Sequence, residues 1–342
     1  TMTRVAAIDC GTNTIRLLIA EADRDQSGHP RLEVLHRRNE IVRLGQGVDR
    51  TGVLDPEALE RTLTVVAAYA ADCAELGVAP GAAARRFVAT SATRDARNRE
   101  DFVAGVRRLL GIEPEVVSGQ EEARLSFSGS LLGARVGEGA RSGDRRAPAP
   151  RLVVDLGGGS TELVLGVDAP SAAISLDTGS VRITERFLAD GVTPAAEAAA
   201  RAEVRGLLDE AERIVDLSAP EQLVGLAGTI TTVTAHALGL QAFDPQALNG
   251  AELSPQAVLV SCEAIVHSTA EQRASWGYLA PGRRDVIAAG ALVWSEVVSR
   301  VVARTEAIGR PLERVTTSLY DILDGIALSL VPAQPIAEGA GA

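Results

Sequence analysis

Two stretches of this 342-residue chain spell one pattern twice. Val5-Ala-Ala-Ile-Asp-Cys-Gly-Thr-Asn-Thr-Ile-Arg-Leu-Leu-Ile19 returns as Arg151-Leu-Val-Val-Asp-Leu-Gly-Gly-Gly-Ser-Thr-Glu-Leu-Val-Leu165. In each, an apolar run ends in Asp-x-Gly-x-x-Ser/Thr, turns, and resumes as a second apolar run, which is how strand, turn and strand read in sequence. One such match says little, because glycines in a tight hairpin can serve turn geometry alone. Two at corresponding places in two halves predict a duplicated domain with a cleft between the copies. The length agrees, since a single hydrophobic core rarely extends over 342 residues.

Strands are predicted at about 4–8, 17–21, 32–38, 87–90, 115–117, 152–156, 162–167, 172–177 and 222–227, with a last strand and helix near 313–330. Asp55-Pro56 has the form of a helix cap followed by proline at the first turn, opening a helix to about Leu76. Further helices are expected at 100–110, from near Gln120, and at 194–215, 229–238, 255–268 and 285–303. Alternating strands and helices indicate an α/β architecture. Residues 133–150 hold little that could pack and read as a surface loop, and the last dozen as a frayed end.

Composition narrows the function. A net charge of −11 argues against a general nucleic-acid binder. Lysine is absent, so every fixed positive side chain is arginine. No apolar run approaches the roughly 20 residues of a membrane span, and the strand pattern begins at once, so a cytoplasmic protein without membrane partners is expected. Cys10, Cys73 and Cys262 lie far apart, as do the four histidines, and neither set has metal, redox or triad spacing.

The two turns carry the chemistry. Glycine lets backbone N–H groups approach a ligand, consecutive N–H groups form an anion-binding nest, and neighbouring hydroxyls add donors. Gly11, Thr12, Asn13 and Thr14 make the first nest; Gly157, Gly158, Gly159, Ser160 and Thr161 make the second. Asp9 and Asp155 open these turns, and a carboxylate beside a phosphate is repulsive unless a cation intervenes. Mg²⁺ (or Mn²⁺) held partly through water is therefore expected, with Glu162 able to complete its site. Arg94, in Ala89-Thr-Ser-Ala-Thr-Arg-Asp-Ala-Arg-Asn98, could fork onto phosphate oxygens. Glu121 and Glu122 begin a helix, where adjacent residues point about 100° apart, so only one of them can face a cleft.

Residues 5–19, 89–98, 117–133 and 152–166 together resemble the exopolyphosphatase/guanosine pentaphosphate phosphohydrolase family. So do Gly225–Thr231, Arg283–Gly290 and Asp321–Ala327, in order through nearly the whole chain. The resemblance implies two ribonuclease H-like, or actin-like, domains with the active site between them. It implies domains of 1–124 plus 308–342, with the last helix returning to the first, and 125–307. It assigns the general base to Glu121, the divalent ion to Asp155 and Glu162 with Asp9, and phosphate contacts to both turns, Arg94, Asn98, Gly228 and Thr229. The implied activity is release of the terminal phosphate of inorganic polyphosphate, with guanosine pentaphosphate as the nearest alternative substrate. A nucleotide-gated binding protein of the actin and Hsp70 kind is the alternative from another class. The usual Gly-Thr-x-Thr-Leu-Arg reads Ala89-Thr-Ser-Ala-Thr-Arg94 here, which keeps the donors. The chain resembles the short, two-domain form, from which a preference for short polyphosphates is expected; a homodimer is compatible with it.

Overall fold

A computed structural model describes residues 2–26, 28–138 and 149–331 of the chain. The first sheet holds β1 (Thr3–Cys10), β2 (Thr14–Arg24), β3 (Pro30–Ile41), β4 (Arg85–Ala89) and β5 (Glu115–Val116), in the order β3-β2-β1-β4-β5. The second holds β6 (Arg151–Leu156), β7 (Thr161–Gly166), β8 (Pro170–Leu176), β9 (Gln222–Leu226), β10 (Glu252–Leu253) and β11 (Val315–Thr317), in the order β10-β11-β9-β6-β7-β8. Read from its far edge, the second sheet repeats the first position for position and appends β10. The pairing repeats too: β1 is antiparallel to β2 and parallel to β4, as β6 is to β7 and β9. Both turns close on the same bond, Gly11 N–H to the Thr14 carbonyl (2.9 Å) and Gly157 N–H to the Ser160 carbonyl (3.0 Å).

The helices are α1 (Val48–Thr51), α2 (Pro56–Glu75), α3 (Ser91–Asp95), α4 (Arg99–Leu110), α5 (Gly119–Glu138), α6 (Ser180–Ile183), α7 (Pro194–Ala211), α8 (Ala227–Ala237), α9 (Pro245–Leu248), α10 (Pro255–Val266), α11 (Ala270–Ser275), α12 (Ile287–Ala307) and α13 (Ile322–Ser329). Local chemistry fixes the starts of several of them. The Asp55 carboxylate accepts from the N–H groups of Glu57 and Ala58, with Pro56 behind it, and Thr193 caps α7 in the same way. The first core joins β1 and β2 to α2 and α4 through Ile8, Leu17, Phe87 and Phe102. The second gathers Trp294 and its neighbours on α12 against β6, β9, α7 and α10.

α13 buries Ile322, Leu323 and Ile326 against Ala7, Leu18 and Val88 of the first sheet. The strand before it, β11, pairs with β9 in the second sheet. The chain thus returns to the first lobe after residue 317 rather than at 308, because the short β11 run completes a sheet edge before the crossing. α5 makes the other passage, and the two helices touch backbone to backbone. A Cβ on Gly129 would lie 1.8 Å from the Asp321 carbonyl oxygen, and one on Gly325 would lie 1.9 Å from that of Leu125.

Other differences from the sequence reading are the short elements α1, α3, α6, α9, α11 and β10, which were not expected, and differences of extent. α5 runs on to Glu138 where a loop from 133 was expected, since extending a helix already held by packed turns costs little. Residues 139–148, the rest of that loop, and the expected frayed end from 332 lie outside the described residues. Among the described residues no helix is long and apolar enough to cross a membrane.

Candidate active site

β1 and β6 end side by side at the cleft, so each presents its Asp-x-Gly turn to the other. Contact between the turns is close enough to demand glycine. A Cβ on Gly159 would sit 2.5 Å from Thr12 Oγ1 and 2.6 Å from Ser91 Oγ, which are themselves 3.0 Å apart. The glycine-rich turn is also oriented. Ser180 N–H donates to the Gly157 carbonyl (3.0 Å), and those of Val181 and Arg182 donate to the Gly158 carbonyl (2.9 and 3.0 Å). Arg182 Nε donates to the Gly159 carbonyl (2.7 Å), and the Ser160 carbonyl is taken by Gly157. With the carbonyls held on that side, the N–H groups of Gly158, Gly159 and Ser160 are left without a protein acceptor among the described hydrogen bonds. That is the form of an anion nest.

Acidic side chains crowd the floor. Asp9 accepts from Arg16 Nε (3.0 Å) and Nη2 (2.7 Å), and Arg16 Nη1 reaches Asp321 (2.5 Å). Ser126 Oγ donates to Asp155 (2.6 Å), and Ser175 Oγ to Glu162 (2.7 Å). Glu122, 7% exposed, meets Arg94 Nη1 at 3.2 Å. Burial pushes the Glu122 carboxyl up to about 8, helped by the negative Asp155 and Asp9 and opposed by Arg94. Burial also raises Asp155 to about 6, with the Asp321 charge adding and Ser126 opposing. Glu162 rises well above its ordinary range for want of solvent and for the proximity of Glu122 and Asp155. Arg283, on the other wall, is lowered to about 10 by burial and by Arg16. Its guanidinium lies over Gly228, and no carboxylate pairs with it among the described residues.

Most expected residues converge here. Asp9, Gly11, Thr12, Asn13, Thr14, Asp155, Gly157, Gly158, Ser160, Glu162, Gly228 and Thr229 all line the cleft. Gly159 and Thr161 do not: Gly159 is packed on Thr12, and Thr161 Oγ1 donates to the Thr178 carbonyl (2.8 Å). Arg94 stands one step back, holding Glu122 and the Val117 carbonyl (2.9 Å). Asn98 is not at the cleft. Its amide pairs with both backbone groups of Leu54 (2.7 and 3.0 Å) and fixes the approach to α2. The largest correction concerns Glu121, which lies outside the cleft, 3.6 Å from Arg86 and with its side chain 37% exposed. α5 begins one residue before Gln120, and that phase turns Glu122 inward while Glu121 shares the solvent stripe of Gln120 and Arg124. The polar spacing of Gln120, Glu121 and Arg124 was the available signal. Arg16, Asp321 and Arg283 were not singled out as site residues, and neither was Ala227, a non-glycine at φ +76° where α8 meets the cleft.

The family model for Ppx/GppA phosphatases matches residues 21–308. The chain belongs to that family. It is 44% identical over 337 residues to exopolyphosphatase 2 of Mycobacterium tuberculosis, covering 96% of this chain and 99% of that one. Among solved structures, an exopolyphosphatase-like protein superposes with a TM-score of 0.85 at 41% identity, over 96% of this chain and 97% of the other. The Ppx/GppA member from Aquifex aeolicus gives 0.72 at 26% identity, over 96% and 97%. Like these Ppx/GppA relatives, the chain has the actin-like fold, which the paired strand orders display directly.

Whether the cleft suits a divalent ion can be judged from its donors. Hard carboxylate oxygens are what Mg²⁺ and Mn²⁺ take, and upward-shifted acids are what an added cation would relieve. Among the described residues these acids form no preassembled group of three close ligands; that arrangement occurs only at Glu197, Glu263 and His267, where Arg201 already binds both glutamates. Asp9 is engaged by Arg16, which leaves Asp155 and Glu162 as the better donors. One or two carboxylates plus water and phosphate oxygens is the coordination Mg²⁺ prefers, so the residues fit.

Proposed function

We propose that this cleft hydrolyses the terminal phosphate of inorganic polyphosphate. The observation that carries the reading is the meeting of the glycine-rich nest, the hydroxyl-bearing Thr12 turn and the unpaired Arg283 guanidinium with the buried carboxylate of Glu122. The full-length similarity to a protein named exopolyphosphatase supports it. The terminal phosphate takes the N–H groups of Gly158 and Ser160, the hydroxyls of Thr12 and Ser160, and Arg283. Glu122 accepts a proton from a water in line with the anhydride bond. The water oxygen bonds to phosphorus, the anhydride bond breaks, and its electron pair leaves with the shortened chain. Asp155 and Glu162 would hold Mg²⁺ or Mn²⁺, which would supply charge neutralisation for the phosphate oxygens. Positioning and electrostatics thereby provide most of the acceleration, as in other phosphoryl transfers. Arg94 acts on Glu122 rather than on phosphate: its charge opposes the upward shift and keeps a fraction of the carboxylate free to accept a proton.

No aromatic side chain lines the cleft among the described residues, which favours a substrate without a base. The deciding experiment incubates the purified chain with Mg²⁺ and polyphosphate, guanosine pentaphosphate or ATP and measures free phosphate. Release from polyphosphate at the highest kcat/KM is expected. Faster release from guanosine pentaphosphate reassigns the substrate, and no release from either overturns the reading.

A further inference from the structure

Arg182 differs from the other groups behind the glycine-rich turn, because its side chain spans the cleft without lining it. Nε donates to the Gly159 carbonyl (2.7 Å), Nη1 to Asp49 (2.6 Å) and Nη2 to Asp95 (2.8 Å). The carboxylates stand on α1 and α3 of the first lobe, whereas Arg182 belongs to α6 of the second. All three edges of the guanidinium are therefore matched, and the residue is only 9% exposed. Two neighbours reinforce the crossing: Arg186 Nε also reaches Asp49 (2.7 Å), and Gly47 N–H donates to Glu185 (2.9 Å). A buried ion pair adds little net stability over apolar packing of equal volume. What this rigid planar fork supplies is geometry, which an ammonium could not reproduce.

We propose that Arg182 is a positioning residue that makes cleft closure and readiness of the anion nest a single event. By holding the Gly159 carbonyl it directs the N–H of the same peptide, that of Ser160, at the phosphate, and by holding Asp49 and Asp95 it does so only while the lobes are together. The inference rests on that turn being a phosphate site. It does not depend on which polyphosphorylated substrate is cleaved.

The test compares wild type with Arg182→Lys and with the double variant Asp49→Asn/Asp95→Asn. The second leaves the Gly159 contact in place but frees it from the first lobe. Binding of inorganic phosphate is measured by calorimetry, phosphate release from polyphosphate by steady-state kinetics, and folding by circular dichroism and melting. Both variants, folded, should bind phosphate at least about tenfold more weakly and lose a similar factor in kcat/KM, the scale of a misplaced binding group. Phosphate affinity and kcat/KM within twofold of wild type in a folded Arg182→Lys overturn the proposal. So does a lowered melting temperature with unchanged phosphate affinity, the mark of a purely structural residue. Should wild type release nothing from polyphosphate, the hydrolase reading falls while the phosphate-binding comparison still decides the role of Arg182. A wild type that binds no phosphate at all overturns both.

Discussion

Glu121 and Glu122 are chemically identical neighbours, and only the phase of a helix separates a surface ion pair from a proposed base. Glu122 is buried among three other acids and tied to Arg94, while Glu121 faces Arg86 and solvent. Removing a general base costs on the order of 10²–10⁴ in rate. Glu122→Gln should therefore lose turnover on that scale while still binding phosphate, since the change also deletes a repulsive charge. Glu121→Gln should stay within about threefold of wild type, as exposed ion pairs contribute little. Phosphate-release kinetics on the folded variants decide between them, and the reverse pattern would return the role to Glu121. The nest residues were legible in sequence because a glycine-and-hydroxyl turn after a buried strand is a local signal. The choice between the glutamates was only faintly legible, in the polar spacing of Gln120, Glu121 and Arg124, because which helix face meets the cleft is set by tertiary packing. Arg16 and Arg283 are two of 34 arginines, and only long-range packing brings them to the cleft.

At the scale of elements, the duplication was the legible part, because strand, turn and strand lie within fifteen residues in each copy. The one-turn segments α1, α3 and α6 were not, although they carry the crossing between lobes; elements this short have no periodicity to read. Nor was the α5–α13 contact, where two glycines admit backbone atoms and Asp321 is held against α5. Its consequence reaches the site, since Asp321 fixes Arg16 and Arg16 fixes Asp9. Gly129→Ala should destabilise by about 1–3 kcal/mol or more, the usual cost of overpacking, and should lower activity as Asp321 is displaced. Gly206→Ala is the matched control. That exposed glycine on α7 has nothing within 4 Å of the new Cβ, so the helix should gain about 0.5–1 kcal/mol. Denaturant unfolding of both variants tests the contrast, and a stable, active Gly129→Ala would show that the crossing can relax.

For the molecule as a whole, the cleft acids set how stability responds to pH and metal. Asp155, Glu122 and Glu162 all hold their protons more tightly in the folded chain than their ordinary values of 3.8 and 4.5. A group with a raised folded pKa contributes stability that is complete below its unfolded value and is lost as pH rises through the folded one. With Asp155 near 6 and Glu122 near 8, the metal-free protein should lose stability steadily between pH 5 and 8. Asp49, Glu113 and Glu212 are lowered by arginine partners and act in the opposite sense, but their contribution is complete by about pH 5. His267, raised by Glu197, loses stability in the same direction, and its exposure keeps that share small. A divalent cation at Asp155 and Glu162 would neutralise the ionised acids, so Mg²⁺ should raise the melting temperature more at pH 8 than at pH 5. Thermal melts across that range, with chelator and with Mg²⁺, read both effects, and Glu122→Gln should flatten the metal-free curve. A metal-free melting temperature that rises from pH 5 to 8 would show that the acids ionise without cost. An equal Mg²⁺ shift at both ends would place the ion elsewhere, because only ionised cleft carboxylates couple its binding to pH.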